Sequence, residues 1–437
     1  MSADSTSSRT ARKWRALGSR NFQLFIFGQG ISLIGTWMTR LATTWLVYHL
    51  THSALLLGIV SFFGQIVSFI LGPLAGVWVE KLDRKKVLLW CQVASGVQSL
   101  LLAFFAFSHR DSILEIILLT AFQGLINAFD LPARQSFLIR MVDDKQDLAH
   151  AIAINSSMTN GARLIGPTLA GLLIGAFGEA WCFFWDGLSY IAVIASLLMM
   201  KITFTEAKRE PASSLQLMKE GWNYVRGNRP IRTILLLFSL NTLMGYPFMV
   251  LLPIFASRVL HGDAMMLGWL TACSSVGALI AAFWLTMRRA SDEPIALLGL
   301  SSTLLGVGLI GLGCSQIVWL SFFFAVLCGF GLMGGASISN TALQLLVPED
   351  KRARVMSYYG TAFFGSAPFG SLLAGVMAHQ VGAPITVVIT GVFCLFGSIG
   401  FAKIWPRLKK DIQKGTEPLC DVHFLTQQNT ITQKEAL

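Results

Sequence analysis

Charge is what this sequence has least of. Of its 437 residues, 13 per cent are Asp, Glu, Lys or Arg, while 54 per cent are hydrophobic and the mean hydropathy is +0.61. Soluble globular domains carry about a quarter of their residues charged, so a water-soluble fold is excluded. Cysteine is also sparse. The seven, Cys91, Cys182, Cys273, Cys314, Cys328, Cys394 and Cys420, fall mostly in apolar runs without CxxC pairs or neighbouring histidine clusters. They read as packing residues, which excludes a zinc site or a disulfide framework. Seven histidines, among them His49, His52, His109, His261 and His379, show no metal-ligand spacing. No nucleophile and base stand at a characteristic spacing and no phosphate loop appears, because Gly334-Gly335 lies inside an apolar run. Neither an enzyme nor a bound cofactor or metal is expected.

What is present is a series of apolar runs, each long enough to cross a bilayer, which takes about 20 residues. They cover 22–48, 54–79, 86–107, 113–139, 149–177 and 180–201, then 232–256, 264–287, 293–313, 316–346, 354–378 and 382–405. Six plus six helices divide the chain into an amino-terminal segment 1–21, a bundle 22–201, a linker 202–231, a second bundle 232–405 and a tail 406–437. The run after the basic amino terminus is too long for a signal peptide and lacks a cleavage site.

The net charge of +11 could suggest a nucleic-acid partner, but the cations sit in short loops between spans, which excludes one. Lys and Arg concentrate on one side, in the terminus, the 81–86 and 140–147 loops, the linker, Arg288-Arg289, Lys351-Arg352-Arg354 and the tail. Arg110 and Arg258 stand on the other, so both termini are expected in the cytoplasm. In the linker, Leu215, Met218, Trp222 and Val225 recur at helical spacing and predict an amphipathic helix on the inner membrane surface. From about Lys409 the apolar period is lost, and a disordered tail is expected.

One short hairpin organises the first half: Gly76, then Glu80, Lys81, Asp83, Arg84 and Lys85 between two spans. Its spacing resembles the loop between helices 2 and 3 of major facilitator superfamily transporters. Asp83 stands where that family usually has a turn glycine, so its side chain must supply the turn. In the family this loop acts as a gate by pairing with the ends of neighbouring helices. An internal repeat agrees: Gly161, Gly166 and Ala170-Gly171 recur at one constant offset as Gly365, Gly370 and Ala374-Gly375, and Arg84-Lys85 as Arg288-Arg289. Parallel repeats of six helices place a substrate cavity between the halves near the midplane.

Charges within spans are costly and default to functional candidates. Here they are Arg40, Asp130, Arg134, Arg163 and Asp186. At 1.5 Å of rise per residue, Arg40 and Asp186 fall at one level, about 7 Å beyond the midplane, and could pair. The superfamily resemblance makes helices 1, 4, 7 and 10 cavity-lining, which favours Arg40 and Asp130 there and a structural role for Asp186. Asp130 reads either as a proton carrier or as a latch to Arg84, Arg134 or Arg163. Arg134, one turn away, and Arg163 complete the coupling candidates.

Gly161, Gly166, Pro167, Ala170 and Gly171 resemble the antiporter motif of the superfamily's exporters, in which small residues permit close helix approach. The helix-4 signature of those exporters is incomplete, with Thr120 where an arginine stands before Gln123-Gly124. Longer strings, among them SLIGTWMTRLATTWLVYHL from Ser32 and DLPARQSFLIRMV from Asp130, look like the branch that contains the enterobactin exporter. That branch implies export of a siderophore or another amphipathic small molecule across the bacterial inner membrane. The proton gradient would be the energy source and the chain a monomer. Trp37, Gln123, Phe129, Tyr246, Tyr358 and Tyr359 are the candidate cavity residues. Two other readings stay open: a lipid transporter such as a lysophospholipid flippase, and a membrane receptor or assembly partner that transports nothing.

Overall fold

The computed structural model describes residues 19–108, 112–141, 145–200, 214–287 and 294–435. The described residues contain helices and no strand, as the hydrocarbon core requires of a chain that must satisfy its own backbone hydrogen bonds. The first half comprises α1 (Arg20–Thr51), α2 (Ala54–Lys81), α3 (Arg84–Phe107), α4 (Ile113–Arg140), α5 (Lys145–Phe177) and α6 (Glu179–Met199). The linker holds α7 (Ser214–Gly227). The second half comprises α8 (Arg229–Gly245), α9 (Phe248–Ile254), α10 (Ala264–Met287), α11 (Pro294–Cys314), α12 (Val318–Leu346), α13 (Glu349–Val381) and α14 (Ala383–Glu435).

Among the described residues ten passages are long and apolar enough to cross a membrane, with α8 and α9 counting as one. Helices α1 and α5, 32 and 33 residues long, carry more polar side chains and complete the twelve. Large apolar side chains on the perimeter, such as Trp319 at 79 per cent exposure and Phe27 at 72 per cent, would be a liability in water and are at home against lipid. Short polar turns separate the spans. Asn228 accepts from the Ile231 amide at 3.3 Å, with Pro230 in the first turn of α8.

The pairing of helices repeats between halves. In the first, α1 packs on α5 and α6, α2 on α4, and α3 on α4 and α6; in the second, α8 packs on α13 and α14, α10 on α12, and α11 on α12 and α14. The halves meet chiefly through α2 with α13 and α5 with α10. Both seams are tightest at the ends away from the linker. A Cβ on Gly58 would sit 2.8 Å from the Ser371 carbonyl oxygen, and one on Gly171 would sit 2.9 Å from that of Ala264. On that side one apolar core runs through both halves, from Met38 and Leu57 to Phe255, Leu270 and Ala374. Toward the linker side the core splits into two, one around Phe22, Phe137 and Leu197 in the first half and one around Ile231, Leu298 and Val355 in the second. The apolar core therefore joins the halves on the side away from the linker and is split between them on the linker side.

Two expectations change. The run 232–256 is not one helix, because the chain turns at Tyr246-Pro247 and a π-helical turn, Phe255–Val259, follows α9. Pro247 and Pro253 lack the amide that a continuous helix would use. Helix α7 forms as expected in the linker, and it packs on α13. Val225 is buried in the second-half core, Arg354 pairs with Glu220 at 2.6 Å, and Lys351 lies 4.7 Å from the Tyr224 ring. Burial pushes the Tyr224 phenol up, helped by the charge of Asp350, so the ring stays neutral under that cation. The tail is helical to Glu435, since its Lys, Gln, Leu and Glu residues favour helix, with Gly415 and Pro418 against it.

Candidate functional site

A lone charge at mid-membrane depth costs about 3 kcal/mol or more, so each one needs a partner or a wet space. On α1, Trp37 and Arg40 are one turn apart, and the Arg40 guanidinium carbon lies 4.9 Å from the Trp37 ring centroid. Arg163 of α5 reaches the same ring at 5.4 Å. Gly166 permits this approach, because a Cβ there would sit 2.9 Å from the Ile34 carbonyl oxygen and would strike the Trp37 Cβ. Arg163 also touches the second half: its Nη1 contacts Met333 Sδ of α12 at 3.1 Å, and its carbonyl accepts from Ser275 Oγ of α10 at 3.1 Å. Tyr246, at the break before α9, is an electrostatic neighbour of Arg163 and packs edge-on against Phe363 at 5.9 Å.

Each cation–ring contact is worth about 0.5–2 kcal/mol, which orients the guanidinium groups without neutralising them. Among the described residues no carboxylate pairs with Arg40 or Arg163. Arg40 is exposed, and the buried Nε of Arg163 has no hydrogen-bond partner. Two cations and an indole thus stand where the first half meets the second.

Asp130 and Arg134 form a second, separate constellation. They pair with each other along α4, while Gln92 Nε2 of α3 donates to Asp130 at 2.8 Å and Arg134 donates to Gln29 Oε1 of α1 at 2.6 Å. This ties three helices of the first half together, and Asp130 is 8 per cent exposed. The two buried glutamines are partners of these charges that the sequence alone did not single out. Their signal was available, since an amide inside an apolar helix needs a partner as a charge does.

The pairing of Arg40 with Asp186 does not form. Asp186 is 1 per cent exposed and accepts from Thr39 Oγ1 at 2.8 Å and Ser99 Oγ at 2.7 Å. Helical geometry explains this: Arg40 is 100° around α1 from Thr39, so only one of the two neighbours can face α6.

Other candidates are placed elsewhere. Tyr358 faces α7, its ring 6.0 Å from that of Trp222. Tyr359 stacks on Phe238 at 4.7 Å and donates to the Ala336 carbonyl at 3.0 Å, which makes it a packing residue. Phe129 rests on Trp78, and Gln123 donates to Ser95 at 3.3 Å and Asn127 at 3.2 Å within the first-half wall. Thr120, where the exporter signature has an arginine, faces Gly64 of α2, where an added Cβ would lie 2.7 Å from the Thr120 methyl group.

In the hairpin Asp83 caps α3, accepting from the Lys85 amide at 3.0 Å, as the missing glycine required. Lys85 Nζ donates to the Met200 carbonyl at the end of α6, a cation on a helix carboxyl end within its own half. Lys81 is exposed, Arg84 is half-buried, and the Glu80 side chain lies outside the described residues. Around Gly76 and Gly161 a Cβ would meet nothing within 4 Å, consistent with the split of the core on the linker side. Of the antiporter-like motif, Gly166 serves α1 and Gly171 serves α10, with the Pro167 carbonyl against Gly268 and Ala170 fully buried.

Known proteins resemble this chain in sequence and in fold. The staphyloferrin A transporter of Staphylococcus aureus is 25 per cent identical over 392 residues, 89 per cent of this chain and 98 per cent of that one. The enterobactin exporter of Escherichia coli O81 is 26 per cent identical over 385 residues, 86 per cent of this chain and 88 per cent of that one. A solved bacterial homologue of the human lysosomal transporter Spinster, in an inward-facing and occupied conformation, superposes with a TM-score of 0.72 at 14 per cent identity, covering 91 per cent of this chain and 98 per cent of that one. The sequence profile of the transmembrane secretion effector family matches residues 11–426. The chain belongs to that family, a multi-pass membrane transporter of the major facilitator superfamily.

Proposed function

We propose that the protein is a secondary active exporter of the bacterial inner membrane, moving a siderophore or similar amphipathic small molecule outward in exchange for protons. One observation carries the reading: a site of Trp37, Arg40, Arg163 and Tyr246 stands where two halves meet whose core is joined away from the linker and split on the linker side. Excess Lys and Arg on that linker side supports a cytoplasmic opening, where a product of cellular synthesis would enter. Rocking of the halves about the site would then expose it outward, in a single chain and with no cofactor beyond the proton gradient.

Asp130 supports the coupling. Its pairing with Arg134 and Gln92 joins α1, α3 and α4, so protonation would release Arg134 and loosen the first-half wall. Everted vesicles energised to an acidic interior test the reading with a siderophore panel and a cationic dye panel. Uptake of one panel that collapses with an uncoupler is expected, and Asp130→Asn should abolish it while binding persists. Tight vesicles that take up neither panel would sink the exporter reading. Uptake by Asp130→Asn equal to wild type would remove Asp130 from the coupling.

A further inference from the structure

We propose that the central site recognises its substrate as an anion, a polyacid rich in oxygen acceptors, held by Arg40 and Arg163 together. The inference names the substrate of the site above and takes only the direction of transport from the exporter reading. Two guanidinium groups from different helices converge on one indole, 4.9 Å and 5.4 Å from its centroid. Membrane proteins that hold arginine at this depth pair it with a carboxylate or with backbone carbonyls. Here the carboxylates within the spans are committed elsewhere: Asp186 to Thr39 and Ser99, Asp130 to Arg134 and Gln92. The buried Nε of Arg163 still lacks an acceptor.

The unmet need is therefore for an acceptor-rich anion that enters and leaves. Planar guanidinium forks match carboxylate and catecholate oxygens, and one polyacid can reach both groups over Trp37. Tyr246, the electrostatic neighbour of Arg163, and Phe363 are partly exposed rings packed edge-on at 5.9 Å, which suits the apolar part of the same molecule. A cationic drug would meet repulsion from both arginines with no carboxylate to offset it. Arg163 also contacts Met333 of the second half, so an anion that draws its guanidinium inward would act on the seam between the halves.

Equilibrium binding to the purified full chain in nanodiscs tests the assignment. The probes are a tri-catecholate siderophore, an α-hydroxycarboxylate siderophore, their neutral methylated forms, rhodamine 6G and lysophosphatidylglycerol. At least one acid should bind, its neutral form about tenfold or more weaker, and rhodamine 6G weaker still. Arg40→Gln and Arg163→Gln should each weaken the acid about tenfold, and the Lys variants should recover part of the loss. Thermal unfolding shows which variants remain folded, and Arg40→Gln, at an exposed position, keeps the test open if Arg163→Gln does not fold.

Tighter binding of rhodamine 6G than of either acid, acid binding unaffected by Arg40→Gln, or binding of lysophosphatidylglycerol alone would each overturn the assignment. Energised export of the dye without acid binding would overturn it and leave the exporter reading standing. Acid binding without energised uptake would do the reverse.

Discussion

Asp186 shows how one buried carboxylate finds partners that sequence distance does not reveal, both of them at Oδ2, while its buried Oδ1 has no hydrogen-bond partner. Its two donors, Thr39 and Ser99, come from α1 and α3, and Gly35 leaves the space its Oδ1 occupies, 2.6 Å from where a Cβ would be. A hydroxyl donor to a buried charge is worth about 1.5–3 kcal/mol. Thr39→Val should therefore lower stability by about that amount, read as a fall in melting temperature in detergent, whereas Arg40→Ala should leave it nearly unchanged. Equal losses from the two would show that Arg40 holds the fold and not the cavity. The sequence marked Arg40 and Asp186 as costly charges at one level, which is correct, but it could not tell which side of α1 faces α6.

Among elements, the hairpin before α3 rests on a single cap. Asp83 accepts from the amides of Lys85 and Lys86 at 3.0 Å and 3.5 Å, and Lys85 reaches the α6 carboxyl end. Replacing an Asp cap by Ala costs about 1 kcal/mol, and by Gly only a few tenths. Asp83→Ala should lower the melting temperature and speed proteolysis at this loop, while Asp83→Gly should stay close to wild type. The opposite order would mean that the carboxylate acts through charge and not as a cap. Helix positions were legible because a span of about 20 apolar residues has one solution in lipid. The break at Tyr246-Pro247 was less so, since Pro also occurs inside unbroken spans here, as Pro73 does in α2.

At the scale of the whole molecule, closure depends on helices that approach to backbone contact. A side chain at Gly58 would meet Ser371 and Gly375 within 3 Å, and one at Gly171 would meet Ala264. Gly58→Leu should hold the outer side apart. A cysteine placed at Gly161, otherwise free of neighbours, should then become reachable by a membrane-impermeant thiol reagent from the outer side, and transport should fall at least about tenfold. Labelling confined to the basic side in that variant would show that this seam is not the outer closure.

The sequence by itself determined the class, the number and order of the spans, the duplication and the small-residue seams. Each of these follows from local rules: span length in lipid, loop charge, and the absence of side chains where backbones must touch. Only the tertiary structure decided which charges meet. It brought Arg40 and Arg163 to Trp37, gave Asp186 to hydroxyls and Asp130 to Arg134, and set Tyr358 against Trp222 and Tyr359 on Phe238. It also set on which side the core is split, because that depends on whether apolar cores from distant segments join, a relation between helices that no single helix encodes.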